Sequence, residues 1–376
     1  MRVMFFGSYL KDDAYPVNRV LLDGIRSAGI DVQECRIDLW QGFLHETLEK
    51  GFLKKSLLFF RAFYCYPKLI WCYLRSTSPD VIVVGYPGYI DIILARLLNI
   101  FSKRLLILVS FISLYDTVIV DRGAFKSNGL VSRLLFILDR LAFVSADKIL
   151  VDTQQVALYY AKVFKVPKIR FHKSLVGNVF DGITCRRNER QKKNFRVLFF
   201  GTYVPLHGTQ FIVDAAIELR NSPIEFVFIG NGQEFDDIRK KTEFAYLSNI
   251  TFHNTWHSIT ELAQAMVDAD VCLGIFGTTP KASRVIPYKV FGALSLGRPV
   301  ITRDSPAIQE LLVDEESVLL CPPGNGLALA TCIERFRNDA DLCIRVGQEG
   351  KRSYEQYASN EVIGKAFVSS LVGENT

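Results

Sequence analysis

The chain has 376 residues, more than one compact core usually holds, so two domains of ordinary size are expected. With 49% hydrophobic and 22% charged residues it is globular, which excludes a disordered chain, and a net charge of +6 is too dilute for a dedicated nucleic-acid binder. The eight cysteines are scattered without a CxxC pair and the five histidines lack ligand spacing, which excludes a disulfide scaffold and a structural zinc site and points to core thiols in a reducing compartment.

RVMFFG (2–7) is a short apolar run ending in glycine, and polar turn residues lead from it to VNRVLLDGIRSAG, whose apolar spacing is helical. No charged leader with a cleavable apolar stretch precedes it, so no signal peptide is expected. The alternation recurs in DVQECRI, DVIVVG, KRLLILVSF and DKILVD, each a strand followed by a helical pattern. Strands and helices in that rhythm predict a parallel sheet covered on both faces.

Within this half, the tract 51–74 is apolar but interrupted by lysine, arginine and proline, so it does not span a membrane. Lys54, Arg61, Lys68 and Arg75 recur every seven residues, a drift of only about 20° per step on a helix. A basic stripe among aromatic residues suits a helix lying on an anionic membrane surface, or a helix packed on the sheet with solvated cations. Pro67 predicts two helical pieces. SLYDTVIVDRG (113–123) sets Tyr115, Asp116, Asp121 and Arg122 in an apolar region, where charges need partners or a wet cleft. Asp121 and Arg122 either form a structural ion pair or serve a ligand.

RRNERQKKN (186–194) has no apolar period and reads as an exposed linker. RVLFFG follows at once, echoing residues 2–7, and the alternation restarts through EFVFIG, NITFHN, ADVCLGIF, RPVIT and SVLLCP. The predicted fold is therefore α/β, with two Rossmann-like domains, 1–175 and 196–352, a linker at 176–195 and a helical tail at 353–376. Ligands bind beyond the carboxyl ends of such strands, so the two sheets would share a cleft. Gly7, Ser8 and Tyr9 would face the second-domain loop across it. Neither first strand is followed by GxGxxG, which disfavours a nicotinamide dehydrogenase.

In GTYVPLHG (201–208) Gly201 allows close backbone approach and Gly208 opens a helix, an arrangement that suits an anion, although an ordinary strand-to-helix turn also fits. Thr202, Tyr203 and His207 lie in the same loop. LGIFGTTPKASRVIPYKVFGALSLGRPVIT (273–302) carries Phe276 and Gly277, three cations (Lys281, Arg284, Lys289) and a helix at 288–296. Those cations could hold a diphosphate and stabilise it as a leaving group, or decorate a solvated loop. His253 and Trp256 are candidate neighbours of a nucleotide base, although a tryptophan such as Trp256 is more often a core residue.

These stretches resemble the GT-B glycosyltransferases, in particular the large retaining family of type 4. The resemblance rests on FFGTYVPLHG, on IGNGQE with Gly230 and Gly232, and on KVFGALSLGRPVIT, where the family reads approximately EAMACGKPVIA. It implies sugar transfer with retention and without a metal or cofactor, from a UDP- or GDP-linked sugar as co-substrate. Donor binding then falls to Gly7, Ser8, Thr202, Tyr203, His207, Gly208, Gly230, Gly232, Trp256, Phe276 and Gly277. Lys281, Arg284, Lys289 and Asp116 would be catalytic; Tyr115, Asp121 and Arg122 would hold the acceptor, with Arg122 on an acceptor phosphate. The family usually has arginine and lysine where Thr202 and His207 stand, and glutamates where Arg284 and Gly292 stand. The tail resembles the family's terminal helix, which packs back on the first domain. The expected protein is cytoplasmic, peripheral on the inner face of the cell membrane, and acts on a lipid-linked glycan of a surface polysaccharide or glycolipid. A non-catalytic subunit of this fold and a sugar-nucleotide epimerase are the alternatives.

Overall fold

The computed structural model describes residues 1–11, 16–40, 52–188, 194–255 and 258–372, the side chains of 52–59 and 372 excepted. The predicted architecture is present, as two six-stranded parallel sheets with helices on both faces. The first sheet contains β1 (Arg2–Gly7), β2 (Asp31–Arg36), β3 (Val81–Val84), β4 (Leu105–Val109), β5 (Lys148–Val151) and β6 (Phe171–Lys173), in the order β2-β1-β3-β4-β5-β6. The second contains β7 (Phe195–Phe200), β8 (Ile224–Ile229), β9 (Ile250–His253), β10 (Val271–Leu273), β11 (Val300–Arg303) and β12 (Leu319–Cys321), in the order β12-β11-β10-β7-β8-β9.

The strand order reverses beside β1 and beside β7, so the two echoing segments occupy the switch points where open sheets bind ligands. Gly7 (φ +122°) and Gly201 (φ +139°) both take a backbone conformation that residues with a Cβ avoid. The echo is conformational as well as sequential.

Alternate residues of the first sheet feed two cores. Met4, Phe6, Ile82, Val84, Leu106 and Leu108 pack under α2 (Phe52–Arg75), α3 (Tyr89–Leu98), α4 (Leu130–Ser145) and α5 (Gln154–Phe164). Val3, Phe5, Val81 and Val83 pack on the opposite face, under α1 (Val17–Ser27) and α12 (Asn360–Val372). This split follows from right-handed crossovers: β1 to β2 runs one way along the sheet and every later connection the other. α1 and α12 meet at Gly24 and Gly364, where a side chain on either would strike the other's backbone.

In the second domain, α6 (Thr209–Glu218), α7 (Phe235–Phe244) and α10 (Gly326–Asn338) cover one face of the sheet. α8 (Ile259–Asp268), α9 (Tyr288–Ser295) and α11 (Ala340–Tyr357) cover the other, and their core is continuous with the one beneath α1 and α12.

Two expectations fail. The chain has a sixth strand in its first half, β6, whose three residues are too few to show a period. α2 is one helix and not two, with Pro67 inside it. Proline removes the donor for the carbonyl four residues earlier, and that residue, Phe63, lies on the exposed side of the helix. Among the described residues no helix is long and apolar enough to cross a membrane.

Candidate active site

The chain leaves β7 through Gly201, makes a short turn at Pro205–His207, and enters α6 after Gly208 (φ +62°). Lys289, the second residue of α9, reaches up beneath this turn. The residue is 6% exposed, and its ammonium lies 3.9 Å from the centre of the Phe199 ring, buried and without a hydrogen-bond partner. A Cβ on Gly201 would stand 2.9 Å from Lys289 Nζ, so the absence of a side chain there leaves the nitrogen its approach to the loop. Burial alone, with no carboxylate nearby to oppose it, pushes the Lys289 pKa well below the usual lysine range. The result is a buried nitrogen without a counter-charge next to the amino-terminal N–H groups of α6, a place that favours negative charge.

His207 is buried, and its Nδ1–H donates to the Thr202 carbonyl. Burial first, then the Lys289 cation, hold its pKa well below normal, so the ring is neutral. It staples the turn and brings no charge to a phosphate, contrary to the expectation. Thr202 is exposed. Tyr203 and Phe276, expected at the donor, are core residues: Tyr203 lies among Phe199, Phe228 and Phe235, and Phe276 belongs to the same cluster. Glycines carry the contacts between these loops. Gly208 stacks on Gly277, Gly230 on the Gly201 carbonyl, and Gly232 on the Tyr203 backbone, each too close for a side chain. They bring three loops together, a packing role where ligand contact was expected.

The three cations expected on one wall divide. Lys281 and Arg284 bridge the domains, while Lys289 stays within the second. Arg284 Nη2 donates to Asp116 Oδ1 at 2.7 Å, the aspartate buried and the arginine side chain 12% exposed, with the guanidinium 3.7 Å over the Tyr159 ring. Lys281 Nζ donates to Thr117 Oγ1 at 2.6 Å, and Thr279 Oγ1 donates to Asp121 Oδ1 at 2.7 Å. The Thr153 hydroxyl donates to the Arg284 carbonyl. Asp121 therefore bonds across the seam and not to its neighbour Arg122, whose buried Nε has no partner and whose charge bears on His207 and Lys281. Burial lowers the Lys281 pKa, against the pull of Asp116, Asp121 and Asp152.

Asp116 and Asp121 bound a π-helical turn, Asp116–Asp121, that is held from behind by Asp139 of α4. Asp139 accepts from Ser113 Oγ at 2.6 Å and from the Tyr115 amide at 2.9 Å; burial nevertheless pushes its pKa up to about 6. Tyr115, expected at the acceptor, packs edge-on against Phe136 and Phe164 in the first-domain core.

Ser8 also turns inward. Its amide and hydroxyl donate to Asp91 Oδ2 at 2.7 and 2.8 Å, and Asp91 fills the space beside Gly7. The cause is strand order: β3 lies next to β1, so the start of α3 reaches the β1 loop before the second domain can. Tyr9 is buried, with its hydroxyl on Glu34. Trp256 and the Lys54 side chain lie outside the described residues. On α2, Lys68 and Arg75 sit over the rings of Tyr64 and Trp71, at 3.9 and 4.3 Å, and Arg61 donates to the Asp38 carbonyl.

Three carboxylates carry no signal in the sequence. Asp152 directly follows β5 and has one oxygen unpartnered, and burial pushes its pKa up to about 7. Glu234, within IGNGQE, lies near Asp121, and burial followed by that carboxylate raises its pKa. Glu310 of the second domain caps α5 of the first, accepting from the Gln154 and Gln155 amides at 2.9 and 3.1 Å. A lone carboxylate has no local pattern, so only the fold reveals these. Among the described residues no three potential ligands gather to hold a metal ion. A cavity of about 840 Å³ lies elsewhere, between β6, α11 and α12.

Residues 194–339 match the family model described as glycosyl transferases group 1. The curated relatives are distant. Alpha-D-kanosaminyltransferase of Streptomyces kanamyceticus is 22% identical over 155 residues, and the match spans 40% of this chain and 39% of that protein. The probable glycosyltransferase WbjE of Pseudomonas aeruginosa is 23% identical over 332 residues, 80% of this chain and 75% of that protein. Among solved structures, Anabaena HepE in complex with UDP-glucose superposes with a TM-score of 0.71 at 14% identity, covering 99% of this chain and 100% of that one. Sucrose-phosphate synthase from Thermosynechococcus elongatus gives 0.72 at 15% identity, covering 98% and 97%. With a group 1 domain in its second half and the GT-B fold throughout, the chain is a glycosyltransferase.

Proposed function

We propose that the chain transfers a sugar, with retention at the anomeric carbon, from a UDP- or GDP-linked donor to a lipid-linked glycan of a surface polysaccharide or glycolipid at an anionic membrane face. The observation that carries this reading is Lys289: a buried, unpartnered ammonium under Gly201, beside the start of α6, with no counter-charge of its own. A diphosphate is the ligand such a site lacks. The Anabaena HepE structures hold UDP-glucose or UDP, which supports the uridine form.

In this reading the bond from the anomeric carbon to the diphosphate oxygen breaks as the acceptor hydroxyl oxygen bonds to that carbon on the same face. The acceptor proton passes to the departing oxygen. Lys289 and the α6 amides stabilise the charge that develops there, and stabilising such charge is commonly the main source of rate acceleration. Asp116, held by Arg284, and Arg122 line the first-domain side. At Gly292, where the resembled family has a ribose-binding glutamate, the Phe180 ring comes within 2.8 Å of where a Cβ would sit. The ribose must be held by other groups.

Thermal unfolding with a panel of uridine, guanosine and adenosine diphosphates and their sugars tests the reading. One nucleotide series is expected to stabilise the chain by about 2–3 kcal/mol at a hundredfold excess over its Kd. A non-catalytic subunit responds to none, and a flat panel would reject the proposal.

A further inference from the structure

The layer α2–α3–α4 covers one face of the first sheet, and its outer surface is unusual. On α4, Leu130, Leu134, Ile137, Leu141 and Val144 are all exposed. At 100° per residue they fall within a stripe of about 80°, a continuous ridge down the helix. Arg133 and Arg140, also exposed, line one flank of it. α2 repeats the design: Phe60, Phe63, Tyr64, Trp71 and Leu74 are exposed along one ridge, with Arg61, Lys68 and Arg75 along its flank. Between the helices, Phe101 at the end of α3 is 96% exposed, next to Ile100 and Lys103.

The charge is one-sided. Between residues 52 and 145 the sequence has twelve lysines and arginines, five aspartates and no glutamate. Four of those aspartates, Asp91, Asp116, Asp121 and Asp139, are buried, which leaves Asp80 as the one acidic side chain outside. Just past this span Asp147 pairs with Arg96 at the end of α3. The rest of the rim is cationic, and an apolar ridge so bordered matches the interface of an anionic bilayer, where the ridge enters the acyl boundary and the rim meets phosphate headgroups. A second copy of the chain fits poorly, because a two-fold interface would set basic rim against basic rim.

We infer that this layer is a membrane-docking face, with the α4 ridge and Phe101 as the inserting elements and the cations of both helices as the headgroup contacts. The inference rests on the reading of a membrane-borne acceptor for its purpose, and on the exposed ridges for its existence. It moves the point of contact beyond the α2 stripe to a broad platform that fixes how the first domain sits on the lipid.

The test uses the full chain and vesicles of phosphatidylcholine alone or mixed with phosphatidylglycerol, read by flotation and by the fluorescence of exposed Trp71. Wild type is expected to bind the anionic vesicles at least about tenfold more tightly than the neutral ones. The L134E/I137E variant is expected to lose about tenfold or more of that binding, and R133E/R140E to lose the preference for anionic lipid. UDP affinity without vesicles should be unchanged in both variants, which separates this inference from the transfer reading. Equal vesicle binding by wild type and L134E/I137E would overturn it. So would a dimer in light scattering that L134E/I137E dissociates.

Discussion

Replacing Lys289 by methionine is expected to lower sugar transfer about 10²–10³-fold while leaving the fold as stable as wild type or more so. Both halves have one cause. The ammonium is buried over Phe199 without a hydrogen-bond partner, so folding the charged form is unfavourable, and the depressed pKa records that cost. Methionine fills a similar volume with no charge to bury. A lysine with a purely structural role would be expected to lower the melting temperature on removal. Here the melting temperature should hold or rise while nucleoside-diphosphate affinity falls. Thermal unfolding and calorimetric titration of one preparation decide it, and a destabilised variant with normal affinity would refute the assignment.

Arg284→Ala is expected to have the largest effect on stability. It leaves the Asp116 carboxylate buried without its partner, a situation that costs about 3–5 kcal/mol, and it removes the stack on Tyr159. For a domain of this size that is a fall of about 10 °C in melting temperature. Because the pair joins the two domains, the loss should appear as two separated transitions in scanning calorimetry, where wild type gives one. Arg284→Lys should be only partly better, since an ammonium cannot reproduce the flat guanidinium between Asp116 and Tyr159. The double change Asp116→Asn with Arg284→Met should recover most of the lost stability. If the single variants unfold as wild type does, the seam is not held by this pair.

How far the sequence foretells this arrangement depends on the range of each interaction. Buried parallel strands need unbroken apolar runs, so RVMFFG and RVLFFG can be read directly, and their glycines mark the same backbone turn. Lys289 stands out in the sequence as a cation near a helix start. Its isolation does not, because that depends on Phe199 and Gly201, which lie 90 and 88 residues away in sequence. Asp116 and Arg284 are 168 residues apart, and no periodicity links them. Tyr203 and Phe276 depart from expectation for a related reason: a loop after a strand locates a residue but does not tell whether its ring turns to the cleft or the core. The α4 ridge is legible only as a helical pattern, since an apolar stripe is ordinarily the buried one.

The most direct test of the central claim, that a nucleoside diphosphate binds at Lys289, is calorimetric titration of UDP at about pH 8 in two buffers of different ionisation enthalpy. Burial lowers the pKa of the free side chain, and the diphosphate raises it on binding, so binding draws protons onto Lys289. Net proton uptake on UDP binding is predicted, together with an affinity that falls as pH rises through the window between the free and bound pKa values. UDP binding without proton uptake, or with the same uptake in Lys289→Met, would contradict the account.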